Sequence, residues 1–167
     1  MLELVSEVVF EHEGVIADFA GDGVLAFWGW PAGHRDHAQR AVRAAAEIAR
    51  RLAPWVEENP DDGRRFAAIR IGISTGRVAV GMTGVREQRK IGVFGNAVNF
   101  GARLEGLGKQ FLVPVLISEE TARHLGESGD DTPTRRICRI RPAGFDRAYP
   151  VHELIVPRDH GGSGADA

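Results

Sequence analysis

Two short apolar runs, Val15 to Phe19 and Val24 to Trp28, stand only four residues apart, and those four are Ala20-Gly21-Asp22-Gly23. Glycine tolerates the backbone angles that a tight reversal needs, so the two runs read as the arms of a β-hairpin. Asp22 then sits at the tip, a carboxylate on a stiff turn with open space around it. The hairpin commits this part of the chain to antiparallel pairing.

What flanks the hairpin alternates between helix and strand. Leu2, Val5, Val8 and Val9 recur at helical spacing, which predicts a helix over Leu2 to Glu13 closed by Gly14. No N-cap residue precedes it, so the natural element is expected to begin upstream of Met1. Ala38, Ala41, Val42, Ala45, Ile48, Ala49 and Leu52 fall on one face of a long amphipathic helix ending near Leu52. Asn59 to Arg65 reads as a loop, Phe66 to Ile73 as a strand, and a second hairpin is expected to follow through Gly76. Val78 to Met82 and Lys90 to Phe94 are strands, Ala97 to Lys109 a helix, and Val113 to Ile117 a strand. Ser118 with Thr121 looks like the cap of a short helix, and strands over Thr134 to Ile140 and Tyr149 to Ile155 close the domain. Strands joined both by hairpins and by long helices fit an α+β sandwich, one sheet covered by helices, better than a doubly wound parallel sheet.

Hydrophobic residues make up 43% of the 167, enough for one buried core, so a single domain over 1–157 with a polar, Gly-rich, disordered tail over 158–167 is expected. Lys and Arg total 21 against 23 Asp and Glu, a balance that gives no electrostatic footprint for nucleic acid or an anionic membrane. Cys138 is the only cysteine, which rules out an internal disulfide and fits a reducing, cytoplasmic setting. No apolar run reaches the length of a membrane span.

Two constellations carry chemistry. Asp22 suits a metal ligand, although a turn aspartate bonded to its own backbone has the same sequence. The second is Val93-Phe94-Gly95-Asn96-Ala97-Val98-Asn99-Phe100-Gly101-Ala102-Arg103-Leu104-Glu105. Asn99 and Arg103 share one helical face, and an amide beside a guanidinium fork offers several donors to ribose and phosphate oxygens. The alternative is a solvated face with Arg103 paired to Glu105 or Glu57. His34 and His37 are spaced for zinc, but no cysteine or further histidine clusters with them, so they read as a polar helix start.

Together these stretches resemble the class III adenylate and guanylate cyclases, from about Leu2 to Leu154. The resemblance runs through Phe19-Ala20-Gly21-Asp22-Gly23-Val24-Leu25-Ala26-Phe27, Ile71-Gly72-Ile73-Ser74-Thr75-Gly76, the Val93 to Glu105 stretch and Val151-His152-Glu153-Leu154. It implies a ferredoxin-like α+β fold with a mostly antiparallel sheet covered by helices. It also implies conversion of ATP or GTP to the 3′,5′-cyclic nucleotide and pyrophosphate, with two Mg²⁺ or Mn²⁺ ions held by two carboxylates. Asp22 matches the second carboxylate; the first belongs to an N-terminal strand that has no counterpart in this sequence. A head-to-tail homodimer is implied, with Asn99 and Arg103 acting as ribose-orienting and transition-state residues across the interface.

Departures from the family pattern concern the purine and the phosphates. Asp18 and Asn96 occupy the two positions that select the purine, where an adenylate cyclase has Lys and Asp. A carboxylate at 18 accepts hydrogen bonds, matching the N1–H and 2-amino donors of guanine, whereas Asn96 can donate or accept. Ala143-Gly144-Phe145 stands where a phosphate-binding Lys is expected, leaving Arg141 or Arg147 as substitutes. These departures motivate an alternative: a non-catalytic cyclase-homology module that dimerises and regulates an attached domain.

Overall fold

Helix α1 (Leu2–Glu11) turns Val8 and Val9 into the interior. In this computed structural model, which describes residues 1–58, 69–85, 88–129, 131–141 and 144–156, the helix ends one turn before the expected glycine. Glu13 takes the left-handed conformation (φ 56°), and the Gly14 N–H donates to the Val9 carbonyl at 2.8 Å. Gly14 is needed for space instead: a Cβ there would lie 2.7 Å from the Trp28 ring, whose Nε1–H donates to the His12 carbonyl at 2.9 Å.

Strands β1 (Val15–Ala20) and β2 (Gly23–Phe27) form the predicted hairpin, with Ala20 opposite Gly23. Helix α2 (His37–Glu58) buries all seven residues of the predicted apolar face. It runs past Leu52 and carries Pro54 in its interior, a residue that usually ends a helix. The loop predicted over 59–65 and the start of the strand predicted from Phe66 lie outside the described residues.

The second hairpin, expected through Gly76, does not form. Strand β3 (Ile71–Ile73) pairs in parallel with β6 (Val115–Ser118), while β4 (Ala79–Val85) and β5 (Gln88–Phe94) pair with each other in a separate sheet. The cause is α3 (Asn96–Phe111), which lies against β3 so closely that a Cβ on Gly72 would collide with the Gly101 carbonyl and the Glu105 amide. A helix crossing between two strands returns the chain in parallel. Strand β8 (Tyr149–Leu154) runs antiparallel to both β6 and the edge strand β7 (Thr134–Ile140).

Among the described residues the strands pair as β1-β2, β4-β5 and β3-β6-β8-β7, antiparallel in every pair but β3-β6, in keeping with the expected mostly antiparallel arrangement. The α+β class holds. Helix α4 (Glu119–Glu127) is capped as predicted, Ser118 Oγ accepting from the Thr121 N–H at 3.2 Å. Val42, Ala45 and Ala49 of α2 meet Val115, Ile117 and Leu154 on one side of the four-stranded sheet, and Phe100 and Leu104 of α3 meet Leu116 and Val151 on the other.

Candidate active site

Asp22 is exposed at the hairpin tip, where Gly21 supplies the left-handed turn angle (φ 63°). Among the described residues no group of three or more His, Cys, Asp and Glu could hold a metal ion.

Asp18 also lies exposed, and it is not free. Its Oδ2 accepts from Lys90 Nζ of β5 at 2.5 Å and its Oδ1 from the Phe19 N–H at 3.1 Å. The Lys90 hydrogen bond, against some desolvation, holds the carboxyl below its ordinary range. The ion pair ties β1 to β5 above a small core in which Ala17, Phe27 and Val93 are buried together. Lys90 went unremarked in the sequence; the signal was its place on one face of a strand with Gly92 and Phe94.

Helix α3 presents the second constellation. Phe100 and Leu104 anchor it to the four-stranded sheet, which leaves Asn96, Asn99 and Arg103 exposed. The predicted pairing of Arg103 with Glu105 is not found, because Glu105 Oε1 accepts from Arg70 Nε at 2.6 Å. The Glu57 side chain lies outside the described residues. Arg103 has no hydrogen-bond or ion-pair partner among the described residues. The helix starts at Gly95 (φ 151°) without a side-chain cap, and a Cβ on Gly95 would sit 2.9 Å from the Arg77 carbonyl.

A cleft of about 340 Å³ opens at this end of α3, lined by Thr75, Arg77, Asn96, Phe100, Phe145 and Tyr149 among others. Three of these form an aromatic cluster: Phe100, Phe145 and Tyr149 have ring centroids 5.5 to 5.6 Å apart. Phe145 therefore packs where the family resemblance places a phosphate-binding cation. Of the two substitutes, Arg147 lies 5.2 Å from the centroid of the Tyr149 ring. Arg141 is exposed just after β7.

The histidines of the α2 start do not converge on a metal. His34 pairs with Glu13 at 3.4 Å, and the His37 ring packs on that of His124, 5.4 Å between centroids. Trp28 is half-buried, while Trp30 and Trp55 are exposed. Asp22 and the pair Asn99 and Arg103 sit on separate elements, and no bond joins them among the described residues.

Comparison with known proteins places this arrangement. Adenylate cyclase 1 of Rhizobium meliloti is 31% identical over 153 residues, 92% of this chain but 23% of that protein. The terminal-differentiation-specific adenylate cyclase of Dictyostelium discoideum is 28% identical over 88% of this chain and 7% of its own length. The chain thus spans less than a quarter of either relative. Among solved structures, the adenylyl cyclase CyaB from P. aeruginosa superposes with a TM-score of 0.71 at 26% identity, covering 95% of this chain and 80% of that one. The guanylyl cyclase Cya2 superposes at 0.70 with 25% identity, covering 96% and 79%. The family model for the adenylate and guanylate cyclase catalytic domain matches residues 7–152, which takes in the hairpin of Asp22, the exposed face of α3 and most of β8. With the motifs, the fold and the relatives in agreement, this chain belongs to the adenylate and guanylate cyclase catalytic domain family.

Proposed function

We propose that this domain converts ATP or GTP to the 3′,5′-cyclic nucleotide and pyrophosphate within an intracellular, cytoplasmic signalling protein, as one half of a homodimer. The observation that carries this is the pair Asn99 and Arg103: exposed, side by side on a firmly anchored helix, with no carboxylate among the described residues holding the guanidinium. In the reaction the ribose 3′-oxygen attacks the α-phosphorus, its proton leaves, and the bond to pyrophosphate breaks. Asn99 would fix the ribose, and Arg103 would meet the charge that spreads over the phosphoryl oxygens. Asp22 lies on a different element of the same protomer, so a partner's Asn99 and Arg103 would complete each site. One structural neighbour, a guanylyl cyclase domain described as a non-canonical dimer, supports self-association of this fold.

The resemblance calls for Mg²⁺ or Mn²⁺, which would activate the attacking oxygen and clamp the pyrophosphate. The described residues do not complete a two-ion site, since Asp22 is a single exposed carboxylate. One feature of the sheets bears on this. The edge of β2 away from β1 and the edge of β3 away from β6 carry no strand among the described residues. Trp28, just after β2, and Ile71 of β3 both pack on the cluster of Val8, Ala44, Ile48 and Leu52. This supports the reading that the family's first strand, with its carboxylate, docks between them. Arg141 would contact the phosphates, and Asp18 and Asn96 would face the purine.

The test is to purify the chain joined to the residues encoded upstream and assay ATP and GTP with Mn²⁺. Cyclic product is expected, falling by about a hundredfold or more in kcat for Asp22→Ala and for Arg103→Ala. A folded dimer that makes no product from either nucleotide would establish the regulatory module instead.

A further inference from the structure

Strand β7 stands at one edge of the four-stranded sheet and, at seven residues, is the longest strand in it. Its side away from β8 carries no strand among the described residues. Proteins usually keep such edges short, because a row of unpaired N–H and C=O groups invites another strand. The residues here are Thr134-Arg135-Arg136-Ile137-Cys138-Arg139-Ile140, with three arginines and no carboxylate. Arg135 stands opposite Glu153 of β8 and donates to its Oε2 at 2.6 Å. Arg136 and Arg139 stand opposite His152 and Pro150, both exposed. Three positions apart, they would fall on opposite faces of a regular strand, but the bulge between Arg136 and Cys138 brings them to the same face. Ile137, Cys138 and Ile140 take the other face, half-buried against the cluster of Phe100, Leu116 and Val151. The edge thus presents two guanidinium groups on one side and aliphatic surface on the other.

We propose that β7 is a docking edge for an acidic, extended segment of another protein, which adds to the sheet as its next strand. Main-chain hydrogen bonds hold such a strand, and alternate side chains select it. The segment carries carboxylates at the positions facing Arg136 and Arg139, and β-branched apolar residues at the positions between, beside Ile137 and Ile140. A second copy of this chain does not fit that description. Pairing β7 with β7 sets arginine against arginine, and like charges across a strand pair repel. No other described strand carries more than one carboxylate: Asp18 is alone in β1 and Glu153 alone in β8. The same arginines that bar a like strand attract an acidic one, so charge decides which partner the long edge accepts. The edge is separate from Asp22, Asn99 and Arg103, and docking there adds a partner to the cyclase reading without depending on it.

The experiment is fluorescence anisotropy of the chain with a fluorescein-labelled peptide that matches β7 in length and alternates Glu with Val, beside one that alternates Lys with Val. The proteins are the parent, a double variant with Arg136→Ser and Arg139→Ser, and a charge-reversed one with Arg136→Glu and Arg139→Glu. Both side chains are exposed, and circular dichroism confirms that the variants keep the parent's fold. Arg141, given a phosphate role above, is left unaltered. The parent is expected to bind the Glu peptide and not the Lys peptide. The serine variant weakens the Glu peptide about tenfold, and the charge-reversed variant prefers the Lys peptide. N-methylation of the peptide separates strand addition from loose charge attraction: methyl groups on one alternate set of amides abolish binding, and on the other set they spare it. A folded parent that does not bind the Glu peptide, an unchanged affinity in the serine variant, or binding that survives both methylations overturns the docking edge, and each leaves the cyclase reading standing.

Discussion

Gly72 and Gly81 are both strand glycines, and the structure assigns them opposite sensitivities. A methyl group on Gly72 meets α3 backbone on two sides, whereas on Gly81 it meets open space. Gly72→Ala should therefore cost roughly 2–4 kcal/mol in urea unfolding, with Gly81→Ala within about 0.5 kcal/mol of the parent. Motif reading alone treats the two alike. A second residue with a directional consequence is His37, whose pKa is lowered by burial and then by the neighbouring His124 charge. Unfolded, its ring takes a proton near its ordinary 6.5; folded, it resists until the pH is lower. Between those values the unfolded chain binds more protons, so this contribution is intact above 6.5, is lost as pH falls through the interval and then levels off. Urea midpoints at pH 7.5 and 5.5 should show the acid loss, and His37→Phe should reduce it.

Among the elements, α4 depends on its cap more than its length suggests. Ser118 Oγ accepts from the Thr121 N–H and from the Thr75 N–H, at 3.4 Å, which commits its lone pairs and directs its own proton to Thr121 Oγ1 at 2.9 Å. Thr121 Oγ1 lies a further 2.9 Å from Thr75 Oγ1 at the rim of the cleft. Ser118→Ala should thus lower stability by about 1–2 kcal/mol and loosen the cleft along with the helix, readable by amide exchange at Thr75 and Thr121. The cap was legible because Ser118 and Thr121 announce it locally. The pairing of β3 was not. Ile71-Gly72-Ile73 reads as one arm of a hairpin until α3 is placed against Gly72, a contact between residues some thirty positions apart. Pro54 in α2 was hidden for a related reason: a helix held by buried Ile48, Leu52 and Val56 on both sides of the proline runs through it.

At the scale of the whole molecule, the fold class and the exposed positions of Asp22, Asn99 and Arg103 were legible, because short motifs in fixed order specify them. The Asp18 and Lys90 bond was not legible, since it joins two hairpins that sequence separation leaves unrelated. Neither was the packing of Phe145 among rings contributed by α3 and β8. Phe19, Leu25 and Met82 remain exposed on the two small sheets, apolar side chains open to the proposed second copy of the chain. Replacing Met82 or Phe19 by Asp should shift sedimentation toward monomer. The most direct measurement joins that dimer to the chemistry: Asp22→Ala and Arg103→Ala proteins, each joined to its upstream residues, assayed for cyclic nucleotide separately and after mixing. If a site takes Asp22 from one protomer and Arg103 from the other, each variant alone is nearly inactive. The equimolar mixture recovers about a quarter of parental activity, because half the dimers are mixed and each mixed dimer holds one intact site. A mixture no more active than its components, beside an active parent, would contradict a shared site, and an inactive parent would contradict the cyclase reading itself.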